Sequence, residues 1–246
     1  MPMRVLACIL LVLMAILPAK AQPLTIVTEE FPPYNFSQDG VPQGLSTEVV
    51  EAVLQKIGFD AKIEFLPWAR AYLTAQNRKN TLIYSIGRIP EREDLFEWVG
   101  VIAPFNTSLY TRADNTGVSI ASLNDAKRYS IGVSVKDVIY QYLDGEGFKQ
   151  LDVVGEDVLN IRKLALGRID IIAFDEASFN YRVALEGMDM GTFRRVYRLE
   201  EISGSLYMAF SKTSDPELVA AFREGLAAIR SDGTYEQILA RYALMN

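Results

Sequence analysis

Ser85-Ile86-Gly87-Arg88-Ile89-Pro90-Glu91-Arg92 follows the short β-like run Thr81-Leu82-Ile83-Tyr84. Pro90 suits the first turn of a helix, where its missing N–H costs nothing. A strand end of small, hydroxyl-bearing residues thus meets a loop with two guanidinium groups. Backbone N–H groups near Gly87 and at the helix start can receive an anion. Arg88 or Arg92 can hold a carboxylate through two parallel bonds. The residues suggest a grip on the anionic end of a small ligand. Surface ion pairs with Glu91, Glu93 or Asp94 explain the same charges without any ligand.

Working upstream, Leu24 to Thr28 reads as a strand. Glu29 to Phe36 carries two prolines, which forbid helix and hold aromatic rings on an extended loop. Gln38-Asp39-Gly40 is a turn. Val49, Val50, Val53, Leu54 and Ile57 fall at helical spacing. Ser46 is the expected N-cap and Gly58 the expected residue past the C-terminus. Ala61 to Phe65 returns as a strand, completing a β-loop-α-β unit. A helix from Pro67 to Gln76 then leads into the quoted strand.

Downstream, Phe96 to Val99 and Ile102 to Phe105 are extended, and Leu109 to Arg112 is a strand. A second α/β series starts at Ile120. It offers strands at 129–135, 151–154 and 168–174, with helices at 122–126, 137–143, 157–166 and 176–185. Asp175 and Glu176 stand at the carboxyl end of an expected buried parallel strand. Strands at 196–199 and 205–212 and helices at 216–229 and 234–242 follow. The expected fold class is α/β, in two units.

Arg4, the apolar run Val5 to Leu17 and Ala19-Lys20-Ala21 form a secretory signal, with cleavage after Ala21. The only cysteine, Cys8, leaves with it, so no disulfide or thiolate chemistry is expected. No second apolar run of membrane length follows, and a soluble exported product is expected. Of 25 basic residues, Arg4 and Lys20 lie in the signal, leaving 23 against 31 acidic ones. That balance argues against nucleic acid or an anionic membrane as partner. The chain has no histidine, which excludes Ser-His-Asp and Cys-His catalysis and imidazole metal sites. Carboxylate or lysine catalysis stays open. No cofactor or metal is called for.

Four places together resemble the bacterial extracellular (periplasmic) solute-binding proteins, family 3, of polar amino acid type. They are Phe31-Pro32-Pro33-Tyr34-Asn35-Phe36, then Gly44-Leu45 with its helix, then Ser85 to Arg92 with Phe96. The last combines Ala165 to Asp170, Ala173-Phe174-Asp175 and Ser231-Asp232-Gly233-Thr234-Tyr235. The resemblance implies two α/β lobes joined by a two-strand hinge, as in type II periplasmic binding proteins. The crossings would be Ala103 to Tyr110 and Ile202 to Leu206. Lobe 1 would be residues 22–108 and 204–246, and lobe 2 residues 109–203.

The same resemblance puts the ligand between the lobes. It makes Arg92 the first candidate for a carboxylate, with Arg88 as an extra cation and Ser85 and Gly87 beside them. It gives Asp175 an ammonium group, lets Phe31, Tyr34 and Trp68 wall the pocket, and puts Glu30 near a position that tunes specificity. Where amino-acid binders read Gly-Thr-Thr, this chain reads Ser134-Val135-Lys136-Asp137-Val138. Asp137 therefore joins the candidates, and a dicarboxylate, a modified amino acid or a peptide-like ligand stays open. The implied role is capture of a small polar ligand by a monomer in the periplasm, for a membrane permease of ABC type. Two alternatives stand: a cleft enzyme using Glu30 and Asp175 as acid and base, or a sensor serving a membrane receptor.

Overall fold

Why the strand at Thr81 is so apolar becomes plain in the computed structural model, which describes residues 24–243. Thr81–Gly87 (β5) is buried along its whole length in the middle of a five-stranded sheet. Its neighbours are Thr25–Thr28 (β1), Ile63–Phe65 (β4), Phe96–Phe105 (β6) and Gly204–Ser211 (β12), in the order β4-β1-β5-β12-β6. β4, β1 and β5 run parallel, and β12 is antiparallel to both β5 and β6. Leu45–Ile57 (α1) covers one face with Ile26, Leu82 and Tyr84. Trp68–Asn77 (α2) covers the other with Val27, Ile83 and Ile86. A strand buried on both faces has no polar side to alternate with.

Ile83 and Ile86 are three residues apart yet share a face, which a regular strand does not allow. The register explains it: Tyr207 pairs with Ile86 and Met208 with Tyr84, so Ser85 is the extra residue of a β-bulge. Ser85 has φ +58°, in the left-handed region.

The second sheet has the order β11-β7-β10-β8-β9. Ile131–Ser134 (β8), Leu151–Val154 (β9) and Ile171–Asp175 (β10) are parallel. Thr107–Arg112 (β7) is antiparallel to β10 and to Phe193–Arg198 (β11). Val138–Gly145 (α3), Asp157–Ala165 (α4) and Glu176–Leu185 (α5) pack beside it. Pro216–Ser231 (α6) and Thr234–Ala243 (α7) return to α1. The chain passes between the sheets twice, through Asn106 and through 199–203. The two passages lie side by side: Leu199 N donates to Thr107 O at 2.9 Å, and Thr107 N to Ser203 Oγ at 2.9 Å.

Some expectations change. The N-cap of α1 is Gly44 rather than Ser46, and no side chain caps it. The aromatic-proline loop does that work with its backbone: Leu45 N donates to Pro33 O at 3.0 Å and Ser46 N to Tyr34 O at 2.8 Å. Gly44 has φ +110°, and a Cβ there would stand 2.5 Å from Tyr34 O. We expect Gly44→Ala to cost about 2–3 kcal/mol in chemical denaturation, from backbone strain and displacement of the loop. Phe36–Gln38 (β2) and Val41–Gln43 (β3) form a hairpin around Asp39-Gly40, where only a turn was expected. The two extended runs at 96–99 and 102–105 are one strand, kept paired with β12 by two register shifts. Residues 123–128 form a 3-10 turn with a Ser122/Asp125 capping box. The signal peptide reading falls outside the described residues. Among the described residues, no helix is long and apolar enough to cross a membrane, and no group of three or more acidic side chains is placed to hold a metal ion.

Candidate functional site

The carboxyl ends of β1 and β5 face those of β8 and β10 across a narrow cavity of about 30 Å³. This is where open α/β sheets place ligands, because strand ends present side chains and backbone groups that the ladder no longer occupies. Glu29 follows the last residue of β1, Ser85 is the bulge of β5 and Gly87 its end. Ser134 ends β8, and Asp175 ends β10. Four lining residues carry carboxyl groups, Glu29, Asp137, Asp157 and Asp175, and none is Lys or Arg.

Asp175 is 1% exposed and serves three elements at once. Its Oδ1 accepts from Ser178 N at 2.8 Å, capping α5. Its Oδ2 accepts from Asn106 N at 3.1 Å, at the crossing between the sheets, and from Tyr34 OH at 3.2 Å, on the first sheet's side. The helix cap and the cavity position are therefore the same side chain. Burial pushes the carboxyl up to about 7, against the pull of these hydrogen bonds, and neighbouring Glu176 adds to the rise. Burial and the Asp175 charge likewise hold the Tyr34 phenol well above its ordinary value.

Asp137 caps α3 through Oδ1 to Val138 N at 2.6 Å. Burial first, and then the charge of Asp157, raise it to about 7, with Arg92 opposing. Glu29 is raised well above the usual carboxylate range by burial, then by Asp157 and Asp137, with Arg182 and Arg92 opposing. Asp157 accepts a short bond from Ser134 Oγ and lies 3.8 Å from Arg182. Burial thus favours the protonated forms of Glu29, Asp137 and Asp175.

This has a measurable consequence. The unfolded chain releases the Asp137 and Asp175 protons near pH 4 and the folded chain near pH 7. Between those values the folded state binds more protons, so stability falls as pH rises. Carboxylates paired at the surface, such as Glu93 with Arg88, gain their stability at lower pH and are already ionised there. We expect the ligand-free protein to lose on the order of 2–3 kcal/mol between pH 5 and pH 8 in denaturant titrations. Asp175→Asn should flatten that slope.

Arg92 has 0% exposure and does not line the cavity. Its Nη1 donates to Gly87 O at 3.0 Å, its Nη2 to Lys136 O at 2.9 Å and its Nε to Gln141 Oε1 at 2.8 Å. The guanidinium lies over Tyr72 (5.0 Å) and Trp68 (5.6 Å). Trp68 Nε1 also donates to Lys136 O, at 2.8 Å. Lys136 has φ +59°, which turns that carbonyl toward the first sheet's side. Arg182 reaches the other way, to the Glu30 carbonyl. A Cβ on Gly87 would stand 3.1 Å from Val138. The two sides of the cavity are thus in direct contact.

Of the residues singled out from sequence, Phe31, Trp68, Ser85, Gly87, Asp137 and Asp175 line this cavity. Tyr34 reaches it through its bond to Asp175, with its ring 5.1 Å from Phe31. Arg92 stands behind Trp68, bonded to protein acceptors. Arg88 is exposed and points elsewhere: it pairs with Glu93 at 2.8 and 2.5 Å and lies over Trp98 and Tyr207. Glu30 is also exposed, accepts from Ser37 N at 3.1 Å, and borders an outer chamber rather than the inner one. The acid–base pairing of Glu30 with Asp175 is therefore not assembled in the inner cavity. Sequence reading passed over Glu29, Asp157 and Asn160. The rule of strand ends points to Glu29 and Glu30 together without choosing between them.

Comparison with known proteins agrees with this architecture. A probable histidine-binding protein of Campylobacter jejuni is 24% identical over 227 residues, covering 87% of this chain and 82% of that protein. A histidine kinase sensor domain with similarity to periplasmic binding proteins superposes with a TM-score of 0.81 at 22% identity, over 89% of this chain and 95% of that one. An ancestral arginine-binding protein bound to arginine gives a TM-score of 0.77 at 21% identity, over 89% and 97%. The family model for bacterial extracellular solute-binding proteins, family 3, matches residues 24–245. A chain matched over nearly its whole length, with two sheets facing across a strand-end cavity, belongs to that family.

Proposed function

We propose that the protein captures a small amine-bearing solute, an amino acid or a close relative, between two lobes and presents it to a membrane permease or receptor. The observation that carries this reading is the inner cavity, with four carboxyl groups and no lysine or arginine in its lining. An ammonium group there recovers the hydrogen bonds lost with its water shell and meets the faces of Phe31 and Trp68. The arginine and histidine binders among its relatives carry cationic or cationisable ligands, in keeping with an acidic site.

The lobes are residues 22–108 with 204–246, and 109–203, with the hinge at Asn106 and Ser203. The ligand enters the open form, and closure brings Lys136, Gln141 and Asp175 to Arg92, Trp68 and Tyr34. Residues 1–21 direct export to the periplasm, where the protein works as a monomer. We read it as a binder and not an enzyme, and recovery of an unaltered ligand by mass spectrometry tests that.

The direct experiment is a thermal-shift screen of amino acids and amines. At a hundredfold excess over Kd a bound cation should stabilise by about 2.7 kcal/mol. For a chain of this size that raises Tm by roughly 5–11 °C. Acidic solutes that stabilise while every amine fails would overturn the reading.

A further inference from the structure

The inner cavity adjoins an outer chamber. Glu29, Trp68, Ser134 and Asp157 line both, while Glu30, Glu156 and Arg182 border only the outer one. The outer chamber has a volume of about 370 Å³. Carboxyl groups therefore stand in both of two adjoining spaces, Asp137 and Asp175 in the inner lining, Glu30 and Glu156 in the outer. Arg182 is the one cation in the lining of the two chambers. It donates to the Glu30 carbonyl and lies near Asp157, with four acidic side chains around it.

Two polar atoms at the inner end have no partner. Ser85 Oγ and Asn160 Oδ1 are buried without a hydrogen bond, in residues 6% and 1% exposed, and both residues line the cavity. A buried polar atom left unpaired is costly. The amide oxygen can only accept, and the carboxylates beside it accept when ionised, so the group that completes this end is a donor of several hydrogen bonds. A ligand carboxylate finds only Arg182, whose Nε is buried without an acceptor and which shares its lining with four carboxyl groups. Arg92 already donates to Gly87, Lys136 and Gln141, from behind Trp68.

We propose that the cleft takes an elongated organic dication without a carboxylate, of the linear diamine or guanidino-amine class. One charged end sits among Asp137, Asp175, Ser85 and Asn160. The aliphatic middle passes Trp68, and the other charged end lies by Glu30 and Glu156. The inference rests on the solute-binding reading and names its ligand class.

Calorimetric titration of the purified protein at pH 7.5 with 1,4-diaminobutane, agmatine, n-butylamine, L-arginine and L-glutamate tests it. The two dications should bind at least tenfold tighter than n-butylamine and L-arginine. A Glu30→Gln/Glu156→Gln double variant changes two exposed side chains and leaves the core intact. It should lose at least tenfold for 1,4-diaminobutane and clearly less for n-butylamine. Tighter binding of L-arginine or L-glutamate than of both dications overturns the dication class and leaves solute capture standing. Equal affinity for 1,4-diaminobutane and n-butylamine overturns the two-chamber placement. Silence from all five, with no response in the amino acid and amine screen, overturns both the inference and the reading beneath it.

Discussion

Arg92→Ala should lower the unfolding free energy by about 3–5 kcal/mol and loosen the closed form. Gly87 O and Gln141 Oε1 lose a donor, and Lys136 O keeps only Trp68 Nε1. Each stranded group costs about 1–1.5 kcal/mol. The space under Trp68 and Tyr72 adds a cavity term, and two cation–π contacts vanish. Removing a buried charge returns part of this, because burial pulls the Arg92 guanidinium below its ordinary value. For a chain of this size the net effect is a Tm lower by roughly 6–20 °C. Lys136 and Gln141 come from the second sheet's side, so the same variant should scatter X-rays as a more open molecule. Arg92→Lys keeps the charge without the planar fork and should recover only part of the loss. A Tm within 2 °C of the wild type would show that these bonds do not hold the cleft together.

Asp175→Ala should cost about 3 kcal/mol of stability and at least a hundredfold in affinity for a cationic ligand. The stability loss comes from Ser178 N, Asn106 N and Tyr34 OH, which are left without an acceptor, and from the lost cap of α5. Relief of a buried carboxyl offsets some of it at pH 8, where that group is ionised, and less at pH 5. The affinity loss follows from removing a charged partner in a dry cavity, where charge-assisted bonds are strongest. Asp175→Asn keeps the shape and an acceptor, so it separates the two effects: most stability stays and most affinity goes.

Much of the fold is legible in the chain because its parallel strands are unusually apolar and its helices strongly periodic. Thr81 to Tyr84 and Ile171 to Phe174 could be read as buried strands from composition alone. The Ser85 bulge could not, since it depends on the register against Tyr207 and Met208, more than 120 residues away. The N-terminus of α1 was misread at Ser46 because its cap is made by the carbonyls of Pro33 and Tyr34, and a backbone cap leaves no side-chain signal.

The site shows the same division. Asp175 follows from its place at a strand end, and Trp68 from the family resemblance. Choosing Glu29 over Glu30 needs the direction of each side chain. β1 is buried on both faces, so no alternation tells which glutamate turns inward. Arg92 carries the charge and spacing of a carboxylate grip. Its acceptors, Lys136 O and Gln141, lie more than 40 residues further on, and only the folded chain brings them together. Asp157 opens a helix in the sequence, and only the fold sets Ser134 of β8 against it.

The central claim is that carboxyl groups in the cleft, Asp175 foremost, hold a positively charged solute. Calorimetric titration of the wild type and of Asp175→Asn with 1,4-diaminobutane and L-arginine tests it most directly. The account predicts binding of at least one of them by the wild type and a loss of thirtyfold or more in the variant, with the fold retained by circular dichroism. An affinity in Asp175→Asn within twofold of the wild type, or a wild type that binds L-glutamate and neither cation, would contradict it.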